Sequence, residues 1–299
     1  MVGRVICGDV LEPEGPVCMP DGNIYLVEMS KNRSCVSMVD ANGKRHEIGR
    51  PGGRPNGLTI DGDGNLWIAG GNNETLVSMA QNGDIIAEYT GPDGDPFLWP
   101  NDLAFGPNGL LYMTDSGILP DEFIDGQSIR KDYKTCPYNG RVFEIDPKTG
   151  KIIRVIDKDL KFTNGIAFDS NDKLYVNETI TGNVYCYDIF SEPSINKEVF
   201  GNVIDGTPES FVGPDGMAFG SDGYLYCAVF GQGNITVLGL NGEVVNRIKT
   251  NGQRPTNIAF LEHQECKAVI TDLGRCEIEE LQLKCSGLRL HKPVVRKIK

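Results

Sequence analysis

The chain has few of the residues from which metal sites and nucleophilic sites are most often built. Only three of its 299 residues are histidines, and none of its nine cysteines belongs to a Cys-x-x-Cys pair. A zinc site made of these residues is therefore not expected, and the lack of a Gly-x-Ser-x-Gly segment argues against a serine-hydrolase elbow. The cysteines are best explained as reduced thiols.

Apolar runs and basic residues are scarce as well. No run approaches the roughly 18 apolar residues of a membrane-spanning helix, and the first residues lack the apolar core of a signal peptide, so a cytoplasmic location is expected. The 29 Lys and Arg are outnumbered by 41 Asp and Glu, which gives a net charge of −12. An acidic surface repels phosphate groups, so neither nucleic acid nor a membrane is an expected partner. We expect instead a small-molecule substrate and a monomer or weak dimer.

Glycine, in contrast, is abundant, with 37 residues, and it marks a repeated motif. Residues 55–68, 100–112 and 212–226 each contain an apolar run, an Asp-Gly or Asn-Gly turn and a second apolar run. This pattern predicts a β-hairpin, because such turns need a positive φ. A second hairpin follows in most repeats, and two hairpins form one propeller blade. We therefore predict an all-β, six-bladed β-propeller with four antiparallel strands per blade, in which residues 1–299 form a single domain.

The spacing of the repeats sets the boundaries of the blades. The predicted blades are residues 14–50, 54–91, 99–157, 162–200, 213–250 and 254–291. Residues 4–10 precede the first repeat and are predicted to add an outer strand to the last blade, which would close the ring. The tail that begins at His291 is predicted to be loose or to form a last edge strand.

The third repeat contains an insert at residues 116–138. The step from the third to the fourth repeat is 63 residues, against 42 for the shortest step. Long inserts in compact repeats are more often functional than idle. Because the insert follows the second strand of its blade, we expect it over the mouth of the channel as a lid or pocket wall. A plain surface excursion is the alternative.

One oxygen-bearing residue stands at the same place in every repeat. These residues are Glu14, Asn56, Asn101, Asn164, Asp215 and Asn257. The innermost strands of a propeller all run the same way along the central channel, so their first residues should form a ring at one end. Two carboxylates and four amide oxygens suit a hard divalent cation such as Ca²⁺, Mg²⁺ or Mn²⁺. Taken singly, Asn and Asp beside Gly are also ordinary turn residues, which is the alternative explanation.

Four of these segments resemble a known family. The segments are Glu14-Gly-Pro-Val, Pro100-Asn-Asp, Thr163-Asn-Gly-Ile-Ala and Pro214-Asp-Gly-Met. They resemble the signature segments of the senescence marker protein/gluconolactonase/luciferin-regenerating enzyme family, and the layout is also similar to diisopropyl fluorophosphatase. The resemblance implies a six-bladed propeller with one divalent cation at the channel mouth, Ca²⁺ first, with Mg²⁺, Mn²⁺, Fe²⁺ or Zn²⁺ as alternatives. It also implies hydrolysis, most often of a lactone ring.

The resemblance implies roles for individual residues of the ring. Glu14, Asn164 and Asp215 are the implied metal ligands, and Asn101 is a fourth ligand or a substrate contact. Asp215 is the candidate catalytic group, either as a base that activates water or as a nucleophile.

Three further residues are predicted at substrate-binding positions. Asn56 and Asn257 would contact the substrate or fill the channel wall. Trp99 stands where the mammalian sugar-lactonase members of the family have an Arg, two places before Asn101. An indole offers a flat apolar wall with one hydrogen-bond donor, so a less polar or aromatic lactone is expected.

Two other functions stay open on the sequence. A hydrolase of the organophosphate type could use the same metal site. A non-enzymatic propeller that binds other proteins would have no metal, and would expose an apolar or strongly charged face opposite the channel mouth.

Overall fold

Six four-stranded antiparallel sheets surround a central channel in the computed structural model, which describes residues 3–125, 128–191, 195–208, 210–262 and 266–295. The innermost strand of each sheet contacts the innermost strands of both neighbouring sheets. The predicted six-bladed β-propeller with four antiparallel strands per blade is confirmed.

The strands are short and follow one another closely along the chain. They are β1 (Arg4–Cys7), β2 (Pro13–Cys18), β3 (Ile24–Glu28), β4 (Cys35–Val39), β5 (Arg45–Gly49), β6 (Leu58–Ile60), β7 (Leu66–Ala69), β8 (Leu76–Met79), β9 (Ile85–Tyr89), β10 (Pro100–Phe105), β11 (Leu111–Asp115), β12 (Ile124–Asp125), β13 (Ser128–Ile129), β14 (Gly140–Ile145), β15 (Ile152–Leu160), β16 (Thr163–Phe168), β17 (Leu174–Glu178), β18 (Asn183–Asp188), β19 (Asn196–Asn202), β20 (Gly213–Phe219), β21 (Leu225–Phe230), β22 (Asn234–Leu238), β23 (Val244–Lys249), β24 (Pro255–Phe260), β25 (Lys267–Asp272) and β26 (Glu277–Gln282). A 3₁₀ turn spans Asn72–Glu74, and α1 spans Pro120–Phe123.

Each blade takes four consecutive strands, with two exceptions. Blade 1 contains β2–β5, blade 2 β6–β9, blade 4 β16–β19 and blade 5 β20–β23. Blade 3 contains β10, β11, β14 and β15, since the insert with α1, β12 and β13 interrupts it. Blade 6 contains β24–β26 and takes β1 as its outermost strand.

The two ends of the chain close the ring within blade 6. β1 pairs antiparallel with β26, so that Arg4 and Val5 lie opposite Glu280 and Glu279. An exposed ion pair of 3.2 Å between Arg4 and Glu280 lies at the same joint. The outer strand predicted from residues 4–10 is therefore confirmed, and it spans Arg4–Cys7.

Asp-Gly or Asn-Gly turns join the first and second strands of blades 1, 2, 3 and 5. In blade 2, Asp61 Oδ1 accepts the backbone N–H groups of Asp63 and Asn65, each at 2.9 Å. Gly64 then adopts a φ of 84°, which costs glycine little. Blade 4 has Asp172 at the equivalent place with a φ of 61°, and Asp is one of the few other residues that tolerate this region.

Six clusters of the hydrophobic core lie one between each pair of neighbouring blades, and a seventh packs the insert against Trp99 and Phe162. The second strands pack on both faces, and every residue of β3, β11 and β17 is buried. The outermost strands are exposed, as shown by Val199 of β19, which is 60% exposed. Each large aliphatic side chain buried between blades stabilises the fold by about 1.5–3 kcal/mol. The innermost strands are thereby held firmly around the channel.

The tail of the chain crosses the end of the channel where the hairpin turns lie. Leu288 N–H donates to Phe219 O of blade 5 at 2.9 Å, and Gly62 N–H of blade 2 donates to Pro293 O at 2.7 Å. Because blades 2 and 5 lie on opposite sides of the ring, the segment between these bonds spans the channel end. The expectation of a loose tail or edge strand is wrong for residues 291–295, since β1 already occupies the edge of blade 6. Residues 296–299 lie outside the described residues.

All nine cysteines lie within the described residues, and each carries a free thiol. Seven of them are buried and two are partly exposed. Across the described ranges, the structure contains no helix that is both long and apolar enough to cross a membrane.

Candidate metal and catalytic site

The first residues of the innermost strands meet at one end of the channel, as the repeat predicts. Asn257 Nδ2 donates a hydrogen bond of 3.1 Å to Glu14 Oε2, across 243 positions of sequence. The Asn164 side chain lies near enough to the Asp215 carboxylate of the next blade to lower the pKa of that carboxylate. Of the six ring residues, five are buried, and Asp215 alone keeps a partly exposed surface.

An irregularity in the innermost strands accompanies these residues. The pairing register shifts directly after Glu14 in blade 1, and similar shifts occur near the ring residues of blades 3 to 6. Such bulges re-aim the side chains beside them. In blade 2, Gly57 N–H donates to Asn101 O at 2.5 Å. A side chain at Gly57 would collide with the backbone of the neighbouring blade, so glycine permits the close approach of the two strands.

The carboxylates of Glu14, Asp102 and Asp215 lie near enough to one another for the charge of one to raise the pKa of another. Burial raises the pKa of Glu14 well above its usual value, and the charges of Asp215 and Asp102 raise it further. Burial also raises the pKa of Asp215 well above its usual range, while the hydrogen bond from Asn164 lowers it and the charge of Asp102 raises it. Within the described part of the chain, none of the three carboxylates forms an ion pair with Lys or Arg.

Asp102 is a member of the site that the sequence reasoning missed. Its carboxylate accepts the N–H groups of Leu103 at 2.8 Å and of Ile166, in the next blade, at 3.3 Å. Burial raises its pKa to about 7. One signal could have identified it: the residue after the ring position is Gly in four repeats, whereas the third repeat has Asp102 there.

Hydroxyl groups orient the amides of two ring asparagines. Asn101 Nδ2 donates to Ser116 Oγ at 3.0 Å, and Asn164 Nδ2 donates to Thr179 Oγ1 at 3.2 Å. Since the nitrogen faces the hydroxyl in each case, the amide oxygen remains as the acceptor on the other side.

The protein itself engages both amide atoms of Asn257. Its nitrogen donates to Glu14, and its oxygen accepts the Ile258 N–H at 2.8 Å. Its amide also lies directly over Gly216, where any side chain would displace it. These contacts make Asn257 a support for Glu14, and its predicted substrate contact stays a prediction. Asn56 is buried in the ring beside Gly57, and its predicted substrate contact also stays a prediction.

The donor chemistry of the ring fits a divalent cation. Buried carboxylates without a counter-charge are costly unless they are protonated or share a cation. Glu14 and Asp215, with the amide oxygens of Asn101 and Asn164, offer four oxygen donors of the kind that hard cations prefer. No group of three or more His, Cys, Asp and Glu residues that could hold a metal occurs among the described residues. The predicted ligand set contains only two residues of these four types, Glu14 and Asp215, and its other two members are asparagines.

Trp99 lies beneath the insert and is only 6% exposed. Its ring packs edge-on against Phe162 and Phe123, at centroid distances of 5.3 and 6.1 Å. Its Nε1 has no hydrogen-bond partner among the described residues. The indole therefore packs the insert onto blade 3, and its predicted contact with substrate stays a prediction.

The insert is anchored on the side of the channel where the ring lies. Phe123 of α1 packs against Phe162 and Phe211, at centroid distances of 4.8 and 5.7 Å. Phe162 precedes Asn164 by two residues, and Phe211 precedes Asp215 by four. The insert thus rests on the segments that lead into the innermost strands of blades 4 and 5. This is the face predicted for it; its role as a lid stays a prediction.

Comparison with known proteins identifies the family. A family model described as SMP-30/Gluconolactonase/LRE-like region matches residues 12–273. The chain belongs to this family. Membership in the SMP-30/gluconolactonase/LRE-like family confirms the resemblance seen in the four signature segments.

Two relatives of this SMP-30/gluconolactonase/LRE-like chain are named lactonases. The gluconolactonase of Zymomonas mobilis is 26% identical over 290 residues, which cover 87% of this chain and 76% of the relative. The lactonase drp35 of Staphylococcus aureus is 26% identical over 247 residues, which cover 80% and 69%. Among solved structures, regucalcin from Agrobacterium tumefaciens, described as a calcium-binding protein, matches with a TM-score of 0.76 at 18% identity, covering 99% of both chains. This last likeness shows a shared fold.

Proposed function

We propose that the protein is a metal-dependent lactonase that opens a small lactone at the mouth of the propeller channel. The observation that carries the proposal is the ring of oxygen-bearing side chains at the channel end, where Asn257 holds Glu14 and where the carboxylates of Glu14, Asp102 and Asp215 have no basic partner in the described part of the chain. Carboxylates enclosed together are stable in the ionised form only when a cation shares their charge. The two lactonase relatives support the same reaction class.

Glu14, Asn101, Asn164 and Asp215 would hold the cation through oxygen atoms. Ca²⁺ is the first candidate, because it accepts mixed carboxylate and amide ligands in flexible geometry. When bound, a divalent cation stabilises the negative charge that develops on the lactone carbonyl oxygen. Asn257 would keep the Glu14 carboxylate in place through its 3.1 Å hydrogen bond.

We assign the reactive step to Asp215. It is the one ring residue with a partly exposed surface, so a substrate can reach it. As a base, its carboxylate would take a proton from water while the water oxygen bonds to the carbonyl carbon. The ring C–O bond would then break, and the ring oxygen would take back the proton held by Asp215 and leave as the alcohol of a hydroxy acid. As a nucleophile, the same carboxylate would attack the carbonyl carbon directly, the ring C–O bond would break, and the ring oxygen would take a proton from solvent. Water would then hydrolyse the resulting anhydride, which frees Asp215 and the hydroxy acid.

Substrate would enter from the mouth side alone. The tail residues between Leu288 and Pro293 span the opposite end of the channel through bonds to blades 5 and 2. The insert would then border the remaining entrance, and Trp99 beneath it would favour a lactone with an apolar or aromatic substituent. A polar sugar lactone would gain less from these contacts.

Turnover by chelated and reloaded protein tests this function. Protein stripped of metal would be assayed on gluconolactone, an aromatic lactone and paraoxon, before and after addition of Ca²⁺, Mg²⁺, Mn²⁺ or Zn²⁺. We expect hydrolysis of at least one lactone, and only after a metal is added. Paraoxon hydrolysis without lactone hydrolysis would instead indicate the organophosphate class. A protein that binds no metal and turns over none of the three would indicate a binding propeller.

A further inference from the structure

Ser116 and Thr179 occupy equivalent places in two neighbouring blades. Ser116 directly follows β11 of blade 3, and Thr179 directly follows β17 of blade 4. Both side chains are almost wholly buried, at 0% and 1% exposed. Each hydroxyl contacts the ring asparagine of its own blade and the backbone of the next blade, in the same geometry.

In blade 3, the contacts form a short chain of hydrogen bonds. Asn101 Nδ2 donates to Ser116 Oγ at 3.0 Å, and Ser116 Oγ donates to Thr163 O at 3.0 Å. Thr163 directly precedes Asn164, the next residue of the ring. The amide of one ring residue is thus linked through a hydroxyl to the backbone that carries the next one.

Blade 4 repeats this arrangement one step further around the ring. Asn164 Nδ2 donates to Thr179 Oγ1 at 3.2 Å, and Thr179 Oγ1 donates to Pro214 O at 2.8 Å. Pro214 directly precedes Asp215. Two successive junctions between blades therefore carry the same amide–hydroxyl–carbonyl relay.

The relay fixes which end of each amide faces the channel. A hydroxyl has one proton, and here the backbone carbonyl of the next blade takes it. The hydroxyl can then only accept from the asparagine, so the amide nitrogen must face it. The two ends of an asparagine amide have nearly the same shape, yet only the oxygen can bind a cation. Without the hydroxyl, packing alone would orient the Asn101 amide among the described residues, and Asn164 would keep only its contact with Asp215, itself a predicted ligand.

We propose that Ser116 and Thr179 are positioning residues that hold the amide oxygens of Asn101 and Asn164 toward a cation. This inference rests on the metal site of the proposed lactonase. The relay gives each asparagine one orientation before any cation arrives, so binding need not select it.

Blades 2 and 6 lack the relay although each has a ring asparagine. The segments that follow their second strands read Gly70-Gly71 and Leu273-Gly274, which offer no hydroxyl. Asn257 of blade 6 donates instead to Glu14. Among the four ring asparagines, the hydroxyls therefore occur beside Asn164, an implied ligand, and Asn101, an implied fourth ligand or substrate contact, and the relay is observed independently of that resemblance.

A second contact supports each relay from the residue two places before the hydroxyl, within the second strand of the same blade. Thr114 Oγ1 donates to Asn164 O at 2.6 Å, and Asn177 Nδ2 donates to Asp215 O at 2.6 Å. The peptide groups on both sides of Asn164 and of Asp215 are thus held by the preceding blade. With the backbone held in this way, the side-chain amide of Asn164 can still turn over, and the relay hydroxyl prevents that rotation.

Calcium affinity of the full-length, metal-stripped protein tests the proposal without any use of activity. Isothermal titration calorimetry would compare wild-type protein with Thr179→Val, Ser116→Ala and the conservative Thr179→Ser. We expect the first two to weaken Ca²⁺ binding about 10- to 100-fold, as for other residues that orient metal ligands. Thr179→Ser keeps the hydroxyl and should stay within about threefold of wild type.

Thr236→Val is a matched control for the loss of a buried hydroxyl. Thr236 is 0% exposed in the outer part of blade 5, where its Oγ1 donates to Asn234 Oδ1 at 2.9 Å and accepts from Arg247 at 2.7 Å. It should lower the unfolding temperature as Thr179→Val does, with no change in Ca²⁺ affinity. Thermal unfolding of every variant establishes that the folded protein is being titrated.

Asn164→Asp separates an orienting role from a structural one. A carboxylate has oxygen at both ends, so its orientation no longer matters for the cation. Thr179→Val should therefore cost less than about twofold in Ca²⁺ affinity in the N164D background, against at least tenfold in wild type. If the Thr179 hydroxyl acted only through its bond to Pro214 O, Thr179→Val would lower the Ca²⁺ affinity by the same factor in both backgrounds. That result would overturn the proposal.

Failure of the relay and failure of the proposed function give different results. Wild-type protein that binds Ca²⁺ with an affinity unchanged by Thr179→Val and Ser116→Ala would overturn the relay and leave the metal site standing. Wild-type protein that binds no divalent cation would overturn the metal site and the relay together.

Discussion

Asn101 and Asn164 differ from Asn56 and Asn257 in what surrounds their amides, although all four occupy the same place in the repeat. A buried hydroxyl receives the amide nitrogen of each of the first two. The nitrogen of Asn257 is bonded to Glu14 instead. The repeat therefore supplies six equivalent positions, and residues of the neighbouring strands decide how each is used. Asparagines at equivalent positions of the repeat therefore have different hydrogen-bond partners.

The charged members of the ring should show the largest effect. Asp215→Ala and Glu14→Gln each remove a negative charge that the cation needs, so lactone hydrolysis should fall by about 10³-fold or more. The measurement is kcat/KM on protein reloaded with metal, together with calcium titration. Circular dichroism should remain that of a β-rich protein. Activity that survives both substitutions would remove these residues from the reaction.

Asn164→Ala against Asn56→Ala compares the two kinds of asparagine directly. Asn164→Ala deletes an oxygen donor and should weaken Ca²⁺ binding about 100-fold, whereas Asn56→Ala should cost less than about tenfold. Calorimetry on metal-stripped protein measures both. Equal losses would mean that the ring uses its asparagines alike, against the difference seen in their contacts.

Asn257→Ala should have an intermediate effect. Because Asn257 Nδ2 holds Glu14 Oε2, its loss should weaken Ca²⁺ binding about tenfold. Calcium titration and steady-state kinetics together check this. A rise in KM with unchanged Ca²⁺ affinity would instead support the substrate contact predicted from the sequence.

The last prediction concerns how the free energy of unfolding of the metal-free protein depends on pH. The pKa of Asp102 is raised to about 7, and those of Glu14 and Asp215 are also raised by burial. A carboxylate with a raised folded pKa stabilises the fold while protonated, and this contribution is lost as pH rises from about 4 through the folded value. The free energy of unfolding of metal-free protein should therefore fall between pH 5 and pH 8, on the order of 1–3 kcal/mol.

Calcium should abolish this pH dependence, because the cation takes the place of the protons. Urea unfolding at a series of pH values, with chelator or with Ca²⁺, measures the difference. Asp102→Asn should flatten the metal-free curve. A metal-free protein that gained stability as pH rose through this range would contradict the uncompensated carboxylate group.

Much of the fold could be read from the sequence, because propeller blades depend on local signals. Turn glycines such as Gly64 mark the hairpins, and the repeat of apolar runs predicts buried strands on both sides of them. Residues 4–10 were assigned to blade 6 because a ring needs closure. The tail was missed, since nothing local in residues 291–295 indicates that they cover the distant turns of blades 2 and 5.

The candidate site was predictable to the extent that it obeys the repeat. Its six ring residues occupy the same position in each repeat, so the propeller fold brings them to the same end of the channel. Asp102 stands one place after the ring position, where four repeats have glycine, so the series of ring residues does not predict it. Ser116 and Thr179 carry no signal in the sequence, where a Ser at the start of an insert and a Thr after a strand look like ordinary surface residues.

The sequence by itself determined that oxygen-bearing side chains from six repeats would gather at one end of a channel. Periodicity suffices for this, because each repeat folds by the same local turns and the ring must close. Only the tertiary structure decided that Asp102 joins Glu14 and Asp215, that Trp99 lies under the insert, and that hydroxyls orient two amides. Those outcomes depend on atoms from neighbouring blades meeting within about 3 Å, and no spacing along the chain encodes such a contact.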